Sequence, residues 1–576
     1  MNTKTLDPVA VKNANHWLEE PYDEDTKAWI RENLKNNPEL INQSFYRDLE
    51  FGTGGLRGIM GIGSNRMNVY TIRRATQGLA NYILKQNVEH PSVFIGYDGR
   101  KYSYEFAVEC SKVFAANGIQ TFIFKELRPT PLVSYGVRFK KCLSGIMITA
   151  SHNPPDYNGY KVYWNDGGQV LPPNDIGIIE EVYKLNSLSD IKVGDPKSHL
   201  ITWVLDEIDN AYLSSIEKLR INKGEVSVKV LYTPLHGTGI TLMPEVMKRW
   251  GITHFATVEK QSKPDGNFTY APVPNPEEKE ALNMGIEQLL KEEHDILIAN
   301  DPDADRVGVA VRHMGKAVIL TGNQIASLCL HYLIKNKIDL PANAAFIKTI
   351  VTTELFRKIA VLNGYSCFDV LTGFKYVAEK IREWEENGNP FKFVFGGEES
   401  YGYLYGTQTR DKDALIMSAL ISEMAGFAKK QNKTLIDLRD ELFKEYGLFY
   451  ETLTSLKFPE SREGTEAMKK AVDKLRSNPP LKFGDQDVIA IDDYQLREKL
   501  DLVTGKKEPL TLEQSDVLVF WLKDNSKVMI RPSGTEPKVK IYCGVTTPNY
   551  ETVESGLLEL EKRAQSLINK LKELTL

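Results

Sequence analysis

Three acidic side chains at alternate positions form the most informative chemical pattern in this chain. The segment 301–306 reads DPDADR, in which Asp301, Asp303 and Asp305 are followed by Arg306. Carboxylate oxygens are the ligands that Mg²⁺ prefers, and three of them on one loop can converge on a single cation. An EF-hand is excluded because Arg306 stands where that loop needs glycine. The alternative is a turn whose aspartates bond their own backbone, but clustered like charges disfavour it, so we predict a metal site.

A serine that follows an apolar stretch is the second candidate for chemistry. Ser151 comes directly after residues 145–150, which are typical of a buried strand, and α/β proteins place ligands at the carboxyl ends of such strands. The nucleophile elbow of hydrolases is absent, because Thr149 and Asn153 stand at its two glycine positions. On the residues alone, Ser151 is either a nucleophile or a turn-forming serine, and the two interpretations are equally favoured.

Three further loops have compositions suited to small polar ligands. Residues 531–537 (RPSGTEP) offer a guanidinium, hydroxyls and backbone N–H groups to a phosphate, and an ordinary hairpin loop is the alternative. Residues 52–58 (GTGGLRG) lack the Gly-Lys-Ser/Thr of a Walker loop, so we interpret them as presenting Arg57 to an anion. Residues 396–400 (GGEES) can bind sugar hydroxyls through Glu398 and Ser400, although Gly-Gly after a strand is often only a turn.

Bulk composition narrows the class of protein. The chain has 576 residues, more than one core usually organises, and its 77 acidic residues outnumber 72 basic ones. A nucleic-acid-binding surface is therefore not expected. The five cysteines form no CxxC pair, and we find neither a signal peptide nor an apolar run of about 20 residues. We expect no membrane association and a cytoplasmic location.

The elements that must position these loops follow an α/β pattern. Short Val-, Ile- and Phe-rich runs alternate with amphipathic stretches, for example a strand at residues 93–97, a helix at 104–117 and a strand at 121–124. The last section differs, with expected strands between residues 517 and 543 and a charged helix from residue 550 onward. We therefore predict four domains, at residues 1–220, 221–325, 326–450 and 451–576.

Taken in their order along the chain, these loops resemble those of the α-D-phosphohexomutase superfamily. Segment 149–154 (TASHNP) resembles its phosphoserine loop, and the other three resemble its metal loop (301–306), sugar loop (396–400) and phosphate loop (531–537). Residues 372–375 (TGFK) and 410–413 (RDKD) also resemble segments that line the family's cleft. The resemblance runs from about Gly52 to Tyr542, and only the first segment and the last helix lack motif support.

The resemblance implies a fold and a set of residue roles. The fold is α/β, with three similar α/β domains with mixed sheets plus a smaller C-terminal α+β domain around a central cleft. Ser151 carries the phosphoryl group, Lys161 is the general acid/base candidate, and His152 assists. One Mg²⁺ per chain is held by Ser151, Asp301, Asp303 and Asp305. The residues expected to bind substrate are Arg57, Arg306, Thr372, Gly373, Lys375, Glu398, Ser400, Lys412, Arg531, Ser533, Gly534 and Thr535.

The resemblance also implies a substrate, a sugar phosphate. Residues 398–402 (EESYG) resemble the members that handle glucose, so we expect interconversion of glucose 1-phosphate and glucose 6-phosphate, with glucose 1,6-bisphosphate as intermediate and activator. Pentose and mannose phosphates are the alternatives within the superfamily. Outside it, the alternatives are a sugar-phosphate sensor without catalysis and a haloacid-dehalogenase-type phosphotransferase, whose motif needs Thr or Val where Asp305 stands. The sequence does not indicate an oligomeric state.

Overall fold

A computed structural model describes residues 5–52, 55–337, 339–459, 462–533 and 538–575. The chain divides into two compact units, each described by itself below. Unit 1 comprises Met1–Leu320, Val377–Asn389 and Ser400–Asn432, and unit 2 comprises Thr321–Tyr376, Pro390–Glu399 and Lys433–Leu576.

Unit 1 begins with three helices that have a core of their own. They are α1 (Pro8–Glu19), α2 (Glu24–Asn36) and α3 (Pro38–Phe45). The Asp7 side chain caps α1 by accepting hydrogen bonds from the backbone N–H groups of Val9 and Ala10, which have no partner within the helix. Trp17, Ile30 and other apolar residues of the three helices pack together, so this segment is an ordered part of unit 1.

The first sheet has six strands in the order β1-β5-β4-β2-β3-β6. They are β1 (Gly55–Ile59), β2 (Ser92–Tyr97), β3 (Gln120–Phe124), β4 (Ser144–Ile148), β5 (Tyr157–Trp164) and β6 (Ile201–Val204). The helices are α4 (Val69–Leu84), α5 (Ser103–Ala116), α6 (Thr130–Lys140), α7 (Asn174–Tyr183) and α8 (Asp206–Glu217). Strand β2 is parallel to β3 and β4, whereas β5 is antiparallel to β1 and β4, so the sheet is mixed.

The second sheet has five strands in the order β11-β10-β9-β7-β8. They are β7 (Val226–Thr233), β8 (Ile252–Thr257), β9 (Ile296–Asn300), β10 (Val307–His313) and β11 (Lys316–Leu320), with helices α9 (Met243–Arg249), α10 (Glu259–Ser262) and α11 (Lys279–Lys291). Strand β7 is parallel to β8 and β9, and β10 runs antiparallel to β9. The acidic segment 301–306 is therefore the tight connection between two hydrogen-bonded strands.

The third α/β section contains parallel strands with covering helices. In chain order its elements are α12 (Gly322–Asn336), β12 (Ala344–Thr349), α13 (Glu354–Leu362), β13 (Ser366–Val370), α14 (Lys375–Glu386), β14 (Lys392–Gly397), β15 (Tyr403–Tyr405), α15 (Ala414–Lys430) and α16 (Leu435–Tyr446). In unit 2, β12 lies between β13 and β14 and is parallel to both. In unit 1, the almost fully buried α15 packs against β7.

The C-terminal section is rich in antiparallel strands. Its elements are β16 (Leu448–Lys457), α17 (Arg462–Ser477), β17 (Lys482–Phe483), β18 (Gln486–Asp493), β19 (Glu498–Asp501), β20 (Lys507–Pro509), β21 (Leu518–Leu522), β22 (Lys527–Pro532), β23 (Lys538–Thr547) and α18 (Val553–Thr575). Strands β16, β23, β22, β21 and β18 are neighbours in that order. Ile350 and Leu371 of the third section share a buried cluster with Val519 and Met529 of this one.

The predicted fold class is confirmed: three α/β/α sections with mixed sheets are followed by a further sheet-rich section. The predicted strands at residues 93–97 and 121–124 correspond to β2 and β3, because their apolar side chains fill the buried parallel part of the first sheet. The four domain boundaries stay predictions, and the two compact units follow a coarser division in which the C-terminal section joins part of the third. Within the described residues, no helix is long and apolar enough to cross a membrane.

Candidate active site

The acidic loop between β9 and β10 brings three carboxylates together. Asp301, Asp303 and Asp305 each offer an oxygen within 4.8 Å of the others, and all three side chains are buried. Ala304 has a φ of 52°, which turns the chain so that alternate side chains face one point. Asp301 Oδ1 accepts hydrogen bonds from the backbone N–H groups of Asp305 and Arg306, both at 3.0 Å. The loop is therefore held in a shape that gathers negative charge.

Charges of both signs surround these carboxylates and separate their pKa values. Burial, together with the charges of Asp303 and Asp305, raises the pKa of Asp301 well above its usual range. Burial acts in the same direction on Asp303, but the Lys161 charge together with hydrogen bonds to Asp301, Lys161 and Thr130 outweighs it and lowers the pKa of Asp303. The Lys161 ammonium lies 2.8 Å from Asp303 Oδ2 and 3.0 Å from Asp305 Oδ2. The same two carboxylates raise the pKa of Lys161 against the opposing effect of burial.

The donor set of this loop fits a hard divalent cation. Three carboxylates converge, and the buried Oδ1 atoms of Asp303 and Asp305 accept no hydrogen bond from the described residues. Buried acceptors normally find a donor, so these two oxygens have capacity for a ligand. The Ser151 hydroxyl adds a neutral oxygen beside Asp301. Oxygen-only donors of this kind suit Mg²⁺.

Ser151 lies directly beside the acidic loop. It follows β4 and is buried, and its Oγ donates a hydrogen bond to Asp301 Oδ2 at 2.7 Å. Its backbone N–H donates to Thr149 Oγ1 at 2.8 Å, and its φ is 52°, in the left-handed region that non-glycine residues rarely adopt. The serine loop and the acidic loop, which lie 150 residues apart in the sequence, therefore meet at the Ser151 hydroxyl.

His152 and Arg57 are placed around the serine. His152 Nδ1 lies 3.1 Å from Ser151 Oγ, and burial together with the nearby charges of Arg306 and Arg57 lowers the pKa of His152 well below its usual value. The imidazole is therefore neutral at pH 7. Arg57 lies on β1, is exposed, and donates from Nη1 to Asn153 Oδ1 at 3.1 Å. The predicted anion-facing arginine is thus beside the serine loop.

Two more predicted substrate-binding cations of unit 1 carry ion pairs. Arg306 pairs with Glu277 from the connection between α10 and α11. The Lys412 ammonium lies 3.3 Å from Asp305 Oδ2 and 3.5 Å from Asp411 Oδ1. Lys412 therefore contacts the acidic loop directly. Ser400 also belongs to unit 1 and is half-buried.

The remaining predicted residues that the structure describes belong to unit 2. Glu398 is buried and accepts a hydrogen bond from the backbone N–H of Gly373 at 2.9 Å, so two of the predicted substrate-binding segments meet. Thr372 is half-buried, and its Oγ1 has no hydrogen-bond partner among the described residues. The Lys375 ammonium lies 5.1 Å from the centre of the Tyr376 ring.

The predicted phosphate loop is described only in part. Arg531 lies in β22, and its buried Nη1 finds no acceptor within the described chain. The backbone N–H of Ser533 donates to Lys538 O at 2.8 Å, which ties the start of the loop to β23. Gly534 and Thr535 lie outside the described residues.

Sequence reasoning missed several residues that shape the acidic loop. Thr130, at the start of α6, donates to Asp303 Oδ2 at 2.8 Å. The backbone N–H of Thr238 donates to Pro302 O at 2.7 Å, and Gly237 packs so closely that a Cβ there would lie 2.3 Å from the Cα of Pro302. A strand followed by Pro-Leu-His-Gly-Thr was the only signal in the sequence, and it does not indicate which loop lies opposite.

Comparison with known proteins identifies the class. Family models described as phosphoglucomutase/phosphomannomutase α/β/α domains I, II and III match residues 48–188, 210–315 and 321–446. A phosphoglucomutase of Staphylococcus haemolyticus is 36% identical over 520 residues, covering 89% of this chain and 93% of that protein. A phosphoglucomutase of Staphylococcus aureus is 36% identical over 518 residues, covering 89% and 92% of the two chains. The chain is therefore an enzyme of the phosphohexomutase class, an isomerase of carbohydrate metabolism.

The chain belongs to the phosphoglucomutase/phosphomannomutase family, within the α-D-phosphohexomutase superfamily, as its loops indicated. Solved structures agree on the fold. A putative phosphomannomutase from Thermus thermophilus superposes with a TM-score of 0.66 at 21% identity, covering 91% of this chain and 99% of that one. The open form of parafusin, a phosphoglucomutase from Paramecium, gives 0.67 at 18% identity, covering 92% and 96%.

Proposed function

We propose that the enzyme interconverts glucose 1-phosphate and glucose 6-phosphate through a phosphorylated Ser151 and a bound glucose 1,6-bisphosphate. The observation that carries the proposal is the 2.7 Å hydrogen bond from Ser151 Oγ to Asp301 Oδ2, inside a buried group of three carboxylates. A serine oxygen beside a cation-binding loop is suited to phosphoryl transfer, which depends on positioning and charge neutralisation. Relatives named phosphoglucomutase, 36% identical over most of the chain, support glucose as the sugar.

The transfer exchanges one phosphorus–oxygen bond for another. The bond from phosphorus to Ser151 Oγ breaks while a sugar hydroxyl oxygen forms a new one, giving the bisphosphate. The second half-reaction reverses this at the other phosphate, which returns to Ser151. The hydroxyl proton passes to a base in the first step and back in the second. We assign this exchange to Lys161, whose ammonium lies 2.8 Å from Asp303 Oδ2 and 3.0 Å from Asp305 Oδ2. Lys161 would pass one proton to one of these carboxylates before its neutral amine accepts the sugar proton, and both transfers would reverse in the second step.

One Mg²⁺, held by Asp301, Asp303, Asp305 and an oxygen at Ser151, would offset negative charge on the transferring group. The chain's own cations add to this effect. Arg57 and Arg306 lie near enough to contribute, beside burial, to the lowered pKa of the His152 ring next to Ser151, which supports a role for their positive charge at the serine. His152 is neutral and within 3.1 Å of the serine oxygen, so it orients that oxygen without adding charge.

The remaining predicted residues are the proposed sugar and phosphate contacts. Glu398 and Ser400 would bind sugar hydroxyls. Thr372, Gly373 and Lys375 would also contact the substrate. Arg531 and Ser533, with Gly534 and Thr535, would bind the phosphate that does not react. The buried Arg531 Nη1 and Thr372 Oγ1 have no partners among the described residues, which leaves them available to a ligand.

The test of Ser151 is chemical. Incubation with glucose 1,6-bisphosphate should add one phosphate to the parent protein, detected by intact mass and located at Ser151 by peptide mapping. Ser151→Ala should take up no phosphate and lose mutase activity. Phosphate found on Asp301 instead would support a haloacid-dehalogenase-type mechanism, and undiminished activity of Ser151→Ala would overturn the proposal.

The test of the sugar is a comparison of kcat/KM. Glucose 1-phosphate, mannose 1-phosphate and ribose 1-phosphate are assayed with glucose 1,6-bisphosphate present as activator. We expect the highest kcat/KM with glucose 1-phosphate. A large preference for ribose 1-phosphate would contradict the glucose assignment and leave the mutase class intact.

A further inference from the structure

The backbone of Ser151 is held in an unfavourable conformation. Its φ of 52° lies in the left-handed region, which is unfavourable for a residue with a side chain and persists only when neighbouring contacts fix it. In this conformation the serine Oγ donates a hydrogen bond to Asp301 Oδ2 at 2.7 Å. The contacts that fix it are therefore part of how the nucleophile is aimed.

The Arg100 side chain donates hydrogen bonds to backbone carbonyl groups of the serine loop. Its Nη2 donates to Ser151 O and Asn153 O, both at 2.5 Å, and its Nη1 donates to Pro154 O at 2.7 Å and Tyr157 O at 3.1 Å. One guanidinium thus binds four carbonyls between Ser151 and Tyr157, in the turn after β4 and at the first residue of β5. Only the fixed fork of an arginine can reach that many acceptors at once.

Asp98 connects Arg100 to the other side of the same serine. Its Oδ2 lies 3.3 Å from Arg100 Nε and accepts a hydrogen bond from Thr149 Oγ1 at 2.7 Å. Thr149 Oγ1 in turn accepts the Ser151 N–H at 2.8 Å. The side chains of Asp98 and Arg100 have no exposed surface, and the Phe268 ring covers the guanidinium at 4.8 Å.

We propose that Asp98, Arg100 and Thr149 form a positioning unit that holds the N–H and the C=O of Ser151 and so aims its Oγ at the acidic loop. The inference rests on the proposed role of Ser151. None of the three side chains touches the serine oxygen in the described contacts, so they act through the backbone of Ser151. A positive charge alone cannot hold the loop in this way, because four carbonyl oxygens each need a hydrogen-bond donor in a different direction.

The first test is Arg100→Lys, which keeps the positive charge beside Asp98 and removes the fork. A misplacement of about 1 Å at a reacting atom costs about a hundredfold in rate. We therefore expect kcat to fall by about tenfold to a hundredfold. KM for glucose 1-phosphate should stay within a factor of about three, since substrate contacts are unchanged. The rate at which Ser151 takes phosphate from glucose 1,6-bisphosphate, followed by intact mass, should fall in parallel.

Arg220→Lys is the matched control. Arg220 also donates to backbone carbonyls, to Arg249 O at 2.7 Å and to Gly224 O at 2.8 Å. These contacts lie next to the start of β7, whereas the loop that contacts Pro302 follows the other end of that strand, after Thr233. Its replacement should change thermal stability without changing kcat. An equal loss of kcat in both variants would show a general effect of stability and would overturn the proposal.

If Arg100→Lys does not fold, a second variant, Thr149→Val, tests the positioning unit. Thr149→Val keeps the shape and removes the oxygen that links Asp98 to Ser151 N–H, so kcat should again fall at unchanged KM. A kcat within twofold of the parent in a folded Arg100→Lys or Thr149→Val protein overturns the positioning unit. If Ser151→Ala itself keeps full activity, the proposed function has failed instead, and the two failures are distinguishable.

Discussion

At the scale of single residues, three chemically identical aspartates differ in their contacts and in the direction of their pKa shifts. Asp301 accepts the Ser151 hydroxyl and two backbone N–H groups, whereas Asp303 and Asp305 share the Lys161 ammonium. The pKa of Asp301 is raised, and the pKa values of the other two are lowered. Asp303 is the member tied to the first sheet section through both Lys161 and Thr130.

Replacing Asp303 by asparagine should separate metal binding from folding. Asp303→Asn keeps the size and the contact to Thr130 but removes one charged ligand. We expect the affinity for Mg²⁺ or Mn²⁺ to fall by about tenfold or more, since carboxylate charge drives the binding of hard cations. We also expect kcat to become unmeasurable. Metal affinity is read by titration calorimetry, and folding is read by circular dichroism.

Asp166→Asn is the control for that experiment. Asp166 is a largely buried carboxylate of the same unit, paired with Arg382 at 3.2 Å instead of with the acidic loop. Its replacement should leave metal affinity unchanged. Full activity of Asp303→Asn at saturating Mg²⁺ would contradict the metal assignment.

At the scale of elements, the tight approach of two loops shapes the acidic segment. Gly237, after β7, lies where any side chain would collide with the backbone of Pro302. The neighbouring Thr238 N–H holds Pro302 O. The conformation of the loop therefore depends on a glycine more than 60 residues away.

Gly237→Ala should displace the acidic loop. The added Cβ, 2.3 Å from the Cα of Pro302, forces backbone movement, so metal affinity and kcat should both fall by about tenfold or more. Gly224→Ala is the control, because a Cβ there would meet only the Asn222 side chain at 3.5 Å. Metal titration and steady-state kinetics of both variants check this expectation; equal metal affinity in the two would refute it.

Helix α15 begins at a buried carboxyl whose protonation affects stability. Burial raises the pKa of Asp413 to about 7, against hydrogen bonds from the Ile416 N–H, the Tyr212 hydroxyl and the Leu415 N–H. The folded protein therefore binds this proton more tightly than the unfolded chain, whose carboxyl titrates near about 4. Stability from this group is greatest below about pH 4 and is lost as pH rises to about 7.

Asp413→Asn should therefore flatten the dependence of stability on pH. Asparagine keeps the cap of the helix and cannot ionise. Between pH 5 and pH 8 the apparent Tm of the parent should fall more than that of the variant, by several degrees. Differential scanning fluorimetry at pH 5, 6, 7 and 8 measures this difference, and parallel curves for the two proteins would contradict the assigned pKa.

At the scale of the whole molecule, a buried ion network joins the third and C-terminal sections within unit 2. Glu354 Oε1 lies 2.9 Å from the Lys348 ammonium and 2.7 Å from that of Lys527, and Lys527 also donates to Ile350 O at 2.9 Å. Burial opposes ionisation of Glu354, but the two lysines outweigh it and lower its pKa. This network and the apolar cluster around Met529 explain why the C-terminal section belongs to a larger unit.

Glu354→Gln should weaken unit 2 strongly. It leaves two buried ammonium groups without their shared carboxylate, and removal of one partner from a buried ion pair destabilises by on the order of 3 kcal/mol. Because the pKa of Glu354 is lowered in the folded protein, the parent protein should lose this stability in acid and keep it at neutral pH. Urea unfolding followed by tryptophan fluorescence measures the loss.

Glu508→Gln is the control for that loss. Glu508 pairs with Lys506 at 2.6 Å on the surface, where a single ion pair contributes little, so its removal should leave the unfolding midpoint unchanged. Equal midpoints for Glu354→Gln and Glu508→Gln would show that the buried network does not support unit 2.

The sequence by itself determined what depends on neighbours along the chain. Apolar runs predict β2, β3 and β4, because side chains of a buried parallel sheet are apolar on both faces. The acidic loop was recognisable because its three aspartates lie within five residues of one another. The order of the loops then indicated the family, which the comparisons confirmed.

Only the tertiary structure decided which distant groups meet. Ser151 and Asp301 are 150 residues apart, Lys161 and Asp303 are 142 apart, and Arg100 binds carbonyls more than 50 residues away. Such contacts depend on strand order and on turns such as the positive φ of Ser151, and neither leaves a periodic signal in the sequence. A hydroxyl becomes a candidate nucleophile here because folding places it beside buried carboxylates, where charge and geometry act together.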